Sequence, residues 1–202
     1  MNGWPVELRS SDVVLRPLRR GDRTTWGRLR DVNAAWLAPW EATPPAGSLP
    51  PPSFPAMVRE LRQQARLGQA MPFVVEHAGR MVGQLTVAGI AWGSLRSGTI
   101  GYWVDHRVAG RGITPTAVAM VTDHCFRSAG LHRVEVNIRP ENAASLRVVE
   151  KLGFRDEGLR RAYLHIDGAW RDHRTFALTA EEVPDGLLSR WLAARGGRAS
   201  TS

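Results

Sequence analysis

The chain has 202 residues, 43% apolar and 23% charged, which suits one soluble globular domain with a sizeable core. No run approaches the roughly 18 consecutive apolar residues of a membrane helix, and a single cysteine, Cys125, excludes an internal disulfide or a cysteine metal cluster. A net charge of +8, carried by 27 basic against 19 acidic residues, favours anionic ligands: phosphates, nucleic acid or a ribonucleoprotein surface. Met1 to Pro5 show no basic start leading into an apolar core, so no secretory signal is expected and a reducing cytoplasm is the expected location.

Residues 1–11 read as an N-terminal extension, 12–179 as a single domain, and 180–202 as a C-terminal segment whose end, Gly196 to Ser202, is a frayed tail. Val13 to Leu18 is a strand, and Asp22 caps a helix running to Leu37. The prolines between Pro44 and Pro52 lack the amide donors of regular structure, so this stretch is a loop within the domain. Ser53-Phe54-Pro55 opens a second helix that stops at Gly68. Phe73 to His77 and Met81 to Trp92 form a hairpin about Ala78-Gly79-Arg80, and Thr99 to Asp105 adds a third strand. After a glycine-containing loop, Thr114-Pro115 serves as cap and first turn of a helix with Val118, Val121 and Cys125 on one stripe. Arg133 to Ile138 alternates polar and apolar as a half-buried strand does. Asn142 to Leu152 is helical up to Gly153, and strands Phe154 to Ile166 and Trp170 to Leu178 flank the Asp167-Gly168 turn. The order is strand, two helices, three strands, helix, strand, helix, two strands: an α/β arrangement.

Two segments carry chemistry. Arg107-Val108-Ala109-Gly110-Arg111-Gly112-Ile113-Thr114 joins a strand to a helix. Its glycines let the backbone approach a ligand, successive amides can converge on phosphate oxygens, and the helix start adds a positive dipole end. Arg107 and Arg111 add mobile positive charge. The dinucleotide fingerprint fails because Pro115 stands where its third glycine belongs, and the nucleotide-triphosphate loop fails for want of its lysine. In the second segment, Asn142 caps a helix and Ser145 lies in its first turn. The six histidines show no paired metal-ligand spacing, so no metal is expected. There is no Gly-x-Ser-x-Gly elbow for a serine nucleophile.

Arg107-x-x-Gly110-x-Gly112 resembles the pyrophosphate loop of the Gcn5-related N-acetyltransferases, and the element order resembles that family's across residues 12 to 179. The resemblance implies a central mixed, splayed β-sheet flanked by helices in a single domain, with acetyl-coenzyme A as cofactor. Arg107, Ala109, Gly110, Arg111, Gly112, Ile113 and Thr114 would then hold its pyrophosphate. Its pantetheine arm would lie between the strand ending Trp103-Val104-Asp105 and the strand beginning Arg133. A backbone amide near Val104 would polarise the thioester carbonyl. Asn142-x-x-Ser145 followed by Leu152-Gly153-Phe154 is similar to the Rim-type branch, the ribosomal-protein N-terminal acetyltransferases. There the asparagine contacts pantetheine and the serine lies near the cofactor sulfur. Many superfamily members have a tyrosine, as proton donor to the thiolate, where this chain has Val149, so that role passes to Ser145. Thr116-Ala117 stands in place of the branch's common Glu-Ala, which removes one polar anchor.

Three further segments resemble the alanine-specific Rim-type enzymes: Asn33 to Glu41, Leu131 to Val134, and Tyr163 to His173. They imply an acceptor site including Trp40, Glu41 and Tyr163, with Trp36 and Trp40 as an exposed wall. No single base stands out. Glu135 could act through a water, and Asn137 could orient the amine. The expected acceptor is the N-terminal alanine or serine of a ribosomal protein, with no direct DNA binding and no membrane. Two alternatives stay open: a small amine such as an aminoglycoside or polyamine, held by Glu41, Asp105 and Glu135, or a non-enzymatic acyl-coenzyme A-bound ribosome assembly factor. No motif specifies a homodimer or excludes one.

Overall fold

Leu8–Ser10 forms a three-residue edge strand, β1, antiparallel to β2 (Val13–Pro17). Its shortness conceals it within the N-terminal extension. This is a computed structural model, and it describes residues 4–199. Met1 to Gly3, and the last three residues of the expected frayed tail, lie outside the described residues. Strands β3 (Met71–His77), β4 (Arg80–Ala91) and β5 (Ser97–Val104) continue the antiparallel meander. The expected turn between β3 and β4 has positive φ at Ala78 and Gly79. β6 (Arg133–Ile138) joins in parallel, and β7 (Arg155–Ile166) and β8 (Ala169–Thr179) form the last hairpin. The eight strands make one mixed sheet in the order β1-β2-β3-β4-β5-β6-β8-β7. Hydrogen-bonded pairing of β5 with β6 runs only from Ser97–Thr99 against Arg133–Glu135. Beyond Thr99 the two strands part, as a splayed sheet requires.

The single helix expected from Asp22 to Leu37 is two helices, α1 (Arg23–Val32) and α2 (Ala34–Leu37). They break at Asn33, whose side chain is fully buried and donates from Nδ2 to the Leu29 carbonyl at 2.9 Å. An asparagine that satisfies its own backbone neighbours competes with helix continuation. α3 (Phe54–Arg66) follows the proline-rich loop, with Pro55 in its first turn. α4 (Ile113–His124) runs on into a π-helical turn at Cys125–Ala129. It starts from Gly112 instead of Thr114, so Thr114 and Pro115 lie inside its first turn. α5 (Ala143–Leu152) ends at Gly153, φ +69°. The C-terminal segment folds as α6 (Leu187–Ala199), which takes in Gly196 and Gly197 from the expected tail.

The sheet has two apolar faces. Leu15, Phe73, Leu85, Ile100, Val134 and Val136 pack with Val118, Val121, Cys125, Val149 and Leu152 of α4, its continuation and α5. On the other face Val74 and Met81 meet Leu18, Leu29 and Val58, with Trp26 and Trp103 at the margin. α4 is buried nearly all round, so Val118, Val121 and Cys125 are part of a core helix and not an isolated stripe. The reason is α6: Trp191, 5% exposed, packs into the same core and donates from Nε1 to Thr116 Oγ1 at 2.9 Å. Thr116 Oγ1 in turn donates to the Gly112 carbonyl at 2.8 Å. Thr116 is therefore itself a polar anchor, tying the C-terminal helix to the glycine loop. No helix among the described residues is long and apolar enough to cross a membrane.

Candidate active site

The site begins where β5 and β6 part. β5 leads into Asp105, which accepts from the Arg107 backbone amide at 3.1 Å and starts a single 3-10 turn, His106–Val108. Gly110 (φ +80°) and Gly112 (φ +82°) then reverse the chain in the left-handed region that side-chain-bearing residues avoid. α4 starts immediately, so its first amides, at Ile113 and Thr114, have no partner within the helix. A loop of this shape directs amides and a helix dipole towards an anion.

Arg107 does not contribute mobile charge. Its Nε contacts Asp105 Oδ1 and Oδ2 at 3.0 and 2.9 Å, and it does not line the cavity described below. Asp105 is 4% exposed and also accepts from Asn33 Nδ2 at 3.3 Å. The Arg107 hydrogen bonds hold its carboxyl below the ordinary value, against the opposing effect of burial. Asn33 Oδ1 accepts from the His106 amide at 2.9 Å. The break between α1 and α2 is thus bolted to the phosphate loop. Asn33 belongs to the Asn33 to Glu41 segment likened to the Rim-type enzymes, and its hydrogen bonds tie that segment to the glycine loop.

A cavity of about 1120 Å³ runs along the loop and the parted strands. Trp103, Val104, Ala109 to Thr114, Asn142 and Ser145 line it, and Arg107 is the one expected cofactor residue that does not. Four cations also border it: Arg111, Arg147, Lys151 and Arg195. None has a carboxylate partner within ion-pair distance among the described residues. Arg195 comes from α6. Its guanidinium lies 5.7 Å from the Trp191 ring, and a Cβ added at Gly112 would meet it at 3.1 Å. Unpaired cations around an amide-lined loop, opening into a cavity this long, fit a diphosphate nucleotide with an extended arm.

A second recess, about 300 Å³, adjoins the first cavity. It shares Trp40, Thr99, Gly101, Tyr102, Asn142 and Ser145 with the first cavity, so the two adjoin beside the parted ends of β5 and β6. Its outer wall is Tyr163, Asn137 and His173. Asn142 Oδ1 accepts from the Ser145 amide at 3.0 Å as the cap of α5, which fixes the serine at the junction. Val149 is 1% exposed in the core and lines neither cavity.

Tyr102, which carries no motif, stands at the same junction. Its hydroxyl is buried without a hydrogen-bond partner, and burial pushes the phenol up to about 12. Ser145 is close enough to moderate that rise, but the two hydroxyls are not aligned as a hydrogen bond. A buried polar atom without a partner is uncommon, and here it faces the meeting point of two cavities. Tyr102 was hidden in the sequence because only the parting of β5 from β6 gives its side chain anything to face.

Among the expected base residues, Glu135 lines neither cavity. It accepts from Arg133 Nε at 2.9 Å and from Arg160 Nη2 at 3.1 Å, a carboxylate held between two guanidinium groups. Asn137 does face the recess, but both ends are engaged: Oδ1 accepts from Thr175 Oγ1 at 2.8 Å, and Nδ2 reaches Tyr163 Oη at 3.4 Å. Tyr163 also accepts from Arg160 Nη1 at 3.2 Å. Trp40 lies under the Arg139 guanidinium, and Trp36, 42% exposed, borders the larger cavity. Glu41 borders it too and is ion-paired with Arg30. Cys125 is fully buried, lines neither cavity, and burial raises its thiol far above the ordinary range.

Residues 12–155 match the acetyltransferase (GNAT) domain family. RimJ of Mycobacterium smegmatis, solved in complex with CoA-disulfide, is 44% identical and superposes with a TM-score of 0.88 over 96% of each chain. The ribosomal protein uS5-alanine N-acetyltransferase of Escherichia coli is 28% identical over 90% of this chain and 94% of its own. The probable N-acetyltransferase YjcK of Bacillus subtilis is 39% identical over 49% of this chain, which spans 55% of that relative. The chain belongs to the GNAT acetyltransferase family, with the Rim-type enzymes among its homologues, and acetyl-coenzyme A is its acyl donor.

Proposed function

We propose that the protein transfers an acetyl group to the α-amine of a protein N-terminus, an alanine or serine on a ribosomal protein, in the cytoplasm. The observation that carries this reading is the recess that adjoins the cofactor cavity and shares Tyr102 and Ser145 with it. An extended N-terminus entering there brings its nitrogen towards a thioester lying beside Ser145. The activity named for the Escherichia coli relative supports the same acceptor class. Acetyl-coenzyme A supplies the activated acyl group. Gly110, Gly112 and the start of α4 hold the pyrophosphate, the unpaired edge of β5 near Val104 offers its amide to the carbonyl oxygen, and the Ser145 hydroxyl donates to the departing sulfur. Attack is direct, because Cys125 is sealed in the core and no other thiol exists.

A polycationic small amine would require free carboxylates. Each one suggested for it is already neutralised: Glu41 by Arg30, Asp105 by Arg107, Glu135 by Arg133 and Arg160. The test is a competition, with intact-mass detection, among peptides beginning with alanine or serine, spermidine and an aminoglycoside. Peptides should gain one acetyl group and dominate the product. Preferential modification of the small amines would overturn the assignment.

A further inference from the structure

The acceptor-side wall contains one residue whose chemistry is still unused. His173, on β8, is 3% exposed and lines the recess beside Asn137 and Tyr163. Its register places it on the acceptor face: Asn137 pairs with Thr175, two residues on, so His173, Thr175 and Asn137 share one side of the sheet. The Tyr163 ring meets the imidazole edge-on, with centroids 5.5 Å apart. Nδ1 lies 3.1 Å from the Arg171 carbonyl oxygen. A carbonyl only accepts, so Nδ1 carries the proton, and in the neutral ring Nε2 is left with its lone pair. No described residue makes a hydrogen bond to that nitrogen.

We propose that His173 is the general base of the reaction, its Nε2 taking a proton from the acceptor's ammonium group as that group enters the recess. The inference rests on amine acetylation as the function. The protons and bonds balance as follows. The ammonium gives one proton to Nε2; the freed nitrogen attacks the thioester carbon, forming C–N as C–S breaks. The proton the nitrogen then sheds ends on sulfur by way of Ser145, and His173 returns its own to solvent. The groups facing the imidazole set its readiness. Burial favours the neutral ring, as does the charge of Arg139, while the Arg171 carbonyl, Glu141 and Asp172 oppose them and Tyr163 contributes an uncharged wall; the net effect lowers the imidazole below its ordinary value. A ring neutral at pH 7 is free to accept.

The experiment compares wild type with His173→Asn, whose side-chain NH2 can keep the bond to the Arg171 carbonyl but cannot take up a proton. An N-terminal α-amine has a pKa of about 8. At pH 6.5 the deprotonation step is therefore needed, and at pH 9.5 it is not. The variant's kcat/KM should fall about 100-fold at pH 6.5 and come within about threefold of wild type at pH 9.5. Coenzyme A affinity by calorimetry should stay unchanged. A deficit equal at both pH values, or no deficit, overturns the proposal. His173→Gln repeats the measurement should the first variant be unstable. NMR titration of the His173 ring, read without acceptor, gives an independent answer: a ring protonated at pH 7 refutes the base. Wild-type turnover of amine peptides reports separately on the acceptor.

Discussion

Replacing Tyr102 with phenylalanine should make the protein more stable and less active at once. Its hydroxyl is buried without a partner, and an unsatisfied buried hydroxyl costs about 1–3 kcal/mol. The lower end of that range gives a gain of about 1 kcal/mol on removing the oxygen. For a chain of this length the gain raises Tm by about 2–4 °C. Tyr102 lines both cavities beside Ser145, and on the proposed mechanism its hydroxyl would donate where sulfur and carbonyl oxygen gain charge. A hydrogen bond to a charged group is worth about 1.5–3 kcal/mol, so kcat should drop about 10–100-fold. Because the phenol is pushed up to about 12, it stays protonated from pH 6 to 10, and the loss should be flat across that range. Thermal melts, steady-state kinetics at several pH values and calorimetry with coenzyme A measure the three quantities. A lower Tm would mean that the hydroxyl is already satisfied in the free protein. Unchanged turnover would remove Tyr102 from the chemistry. Either result refutes the argument.

Two further substitutions test the cofactor wall. Arg195→Ala should weaken coenzyme A binding about three- to tenfold at low salt, with the difference shrinking as salt rises and Tm nearly constant; equal affinity at low salt would show that α6 holds no phosphate. Asp105→Asn should lower Tm at pH 7 by about 2–8 °C, corresponding to about 1–2 kcal/mol, since half-exposed Arg107 limits the pair. Because folding depresses this carboxyl, its contribution is complete above the ordinary value of 3.8 and is lost as pH falls through the lower folded value. The two melting curves should therefore converge in strong acid, and a gap that persists there would point to packing.

The shape of the glycine loop was legible in the sequence because it is a main-chain property: two glycines next to a helix start specify the curvature by themselves. Ser145 was legible for the same local reason, through the Asn142 cap. Arg107 was misjudged because a loop arginine looks like ligand charge until Asp105, two residues earlier, is seen to hold it. Glu135 was misjudged because Arg160, one of its two partners, lies 25 residues away in sequence and reaches it only once β7 has folded beside β8. The break at Asn33 reflects burial against Asp105, which no helix propensity encodes. β1 is too short for periodicity to reveal, and Gly196-Gly197 argues against a helix that packing of Trp191 nevertheless secures. Tyr102 depends wholly on strand partners remote in sequence, so neither spacing nor motif could have singled it out, and His173, although it ends the hairpin segment likened to the Rim-type enzymes, gains its place in the recess only from the pairing of β8 with β6.

The bolt from Trp191 through Thr116 to Gly112 has an implication for where this enzyme may be cut or extended. The matched family region stops at residue 155, yet the last helix, some thirty residues later, buttresses the glycine loop proposed to hold the nucleotide. A shortened version ending at residue 186 would keep every motif and still lose one wall of its donor site. A bulky fusion placed directly after residue 195 would crowd the same wall from outside.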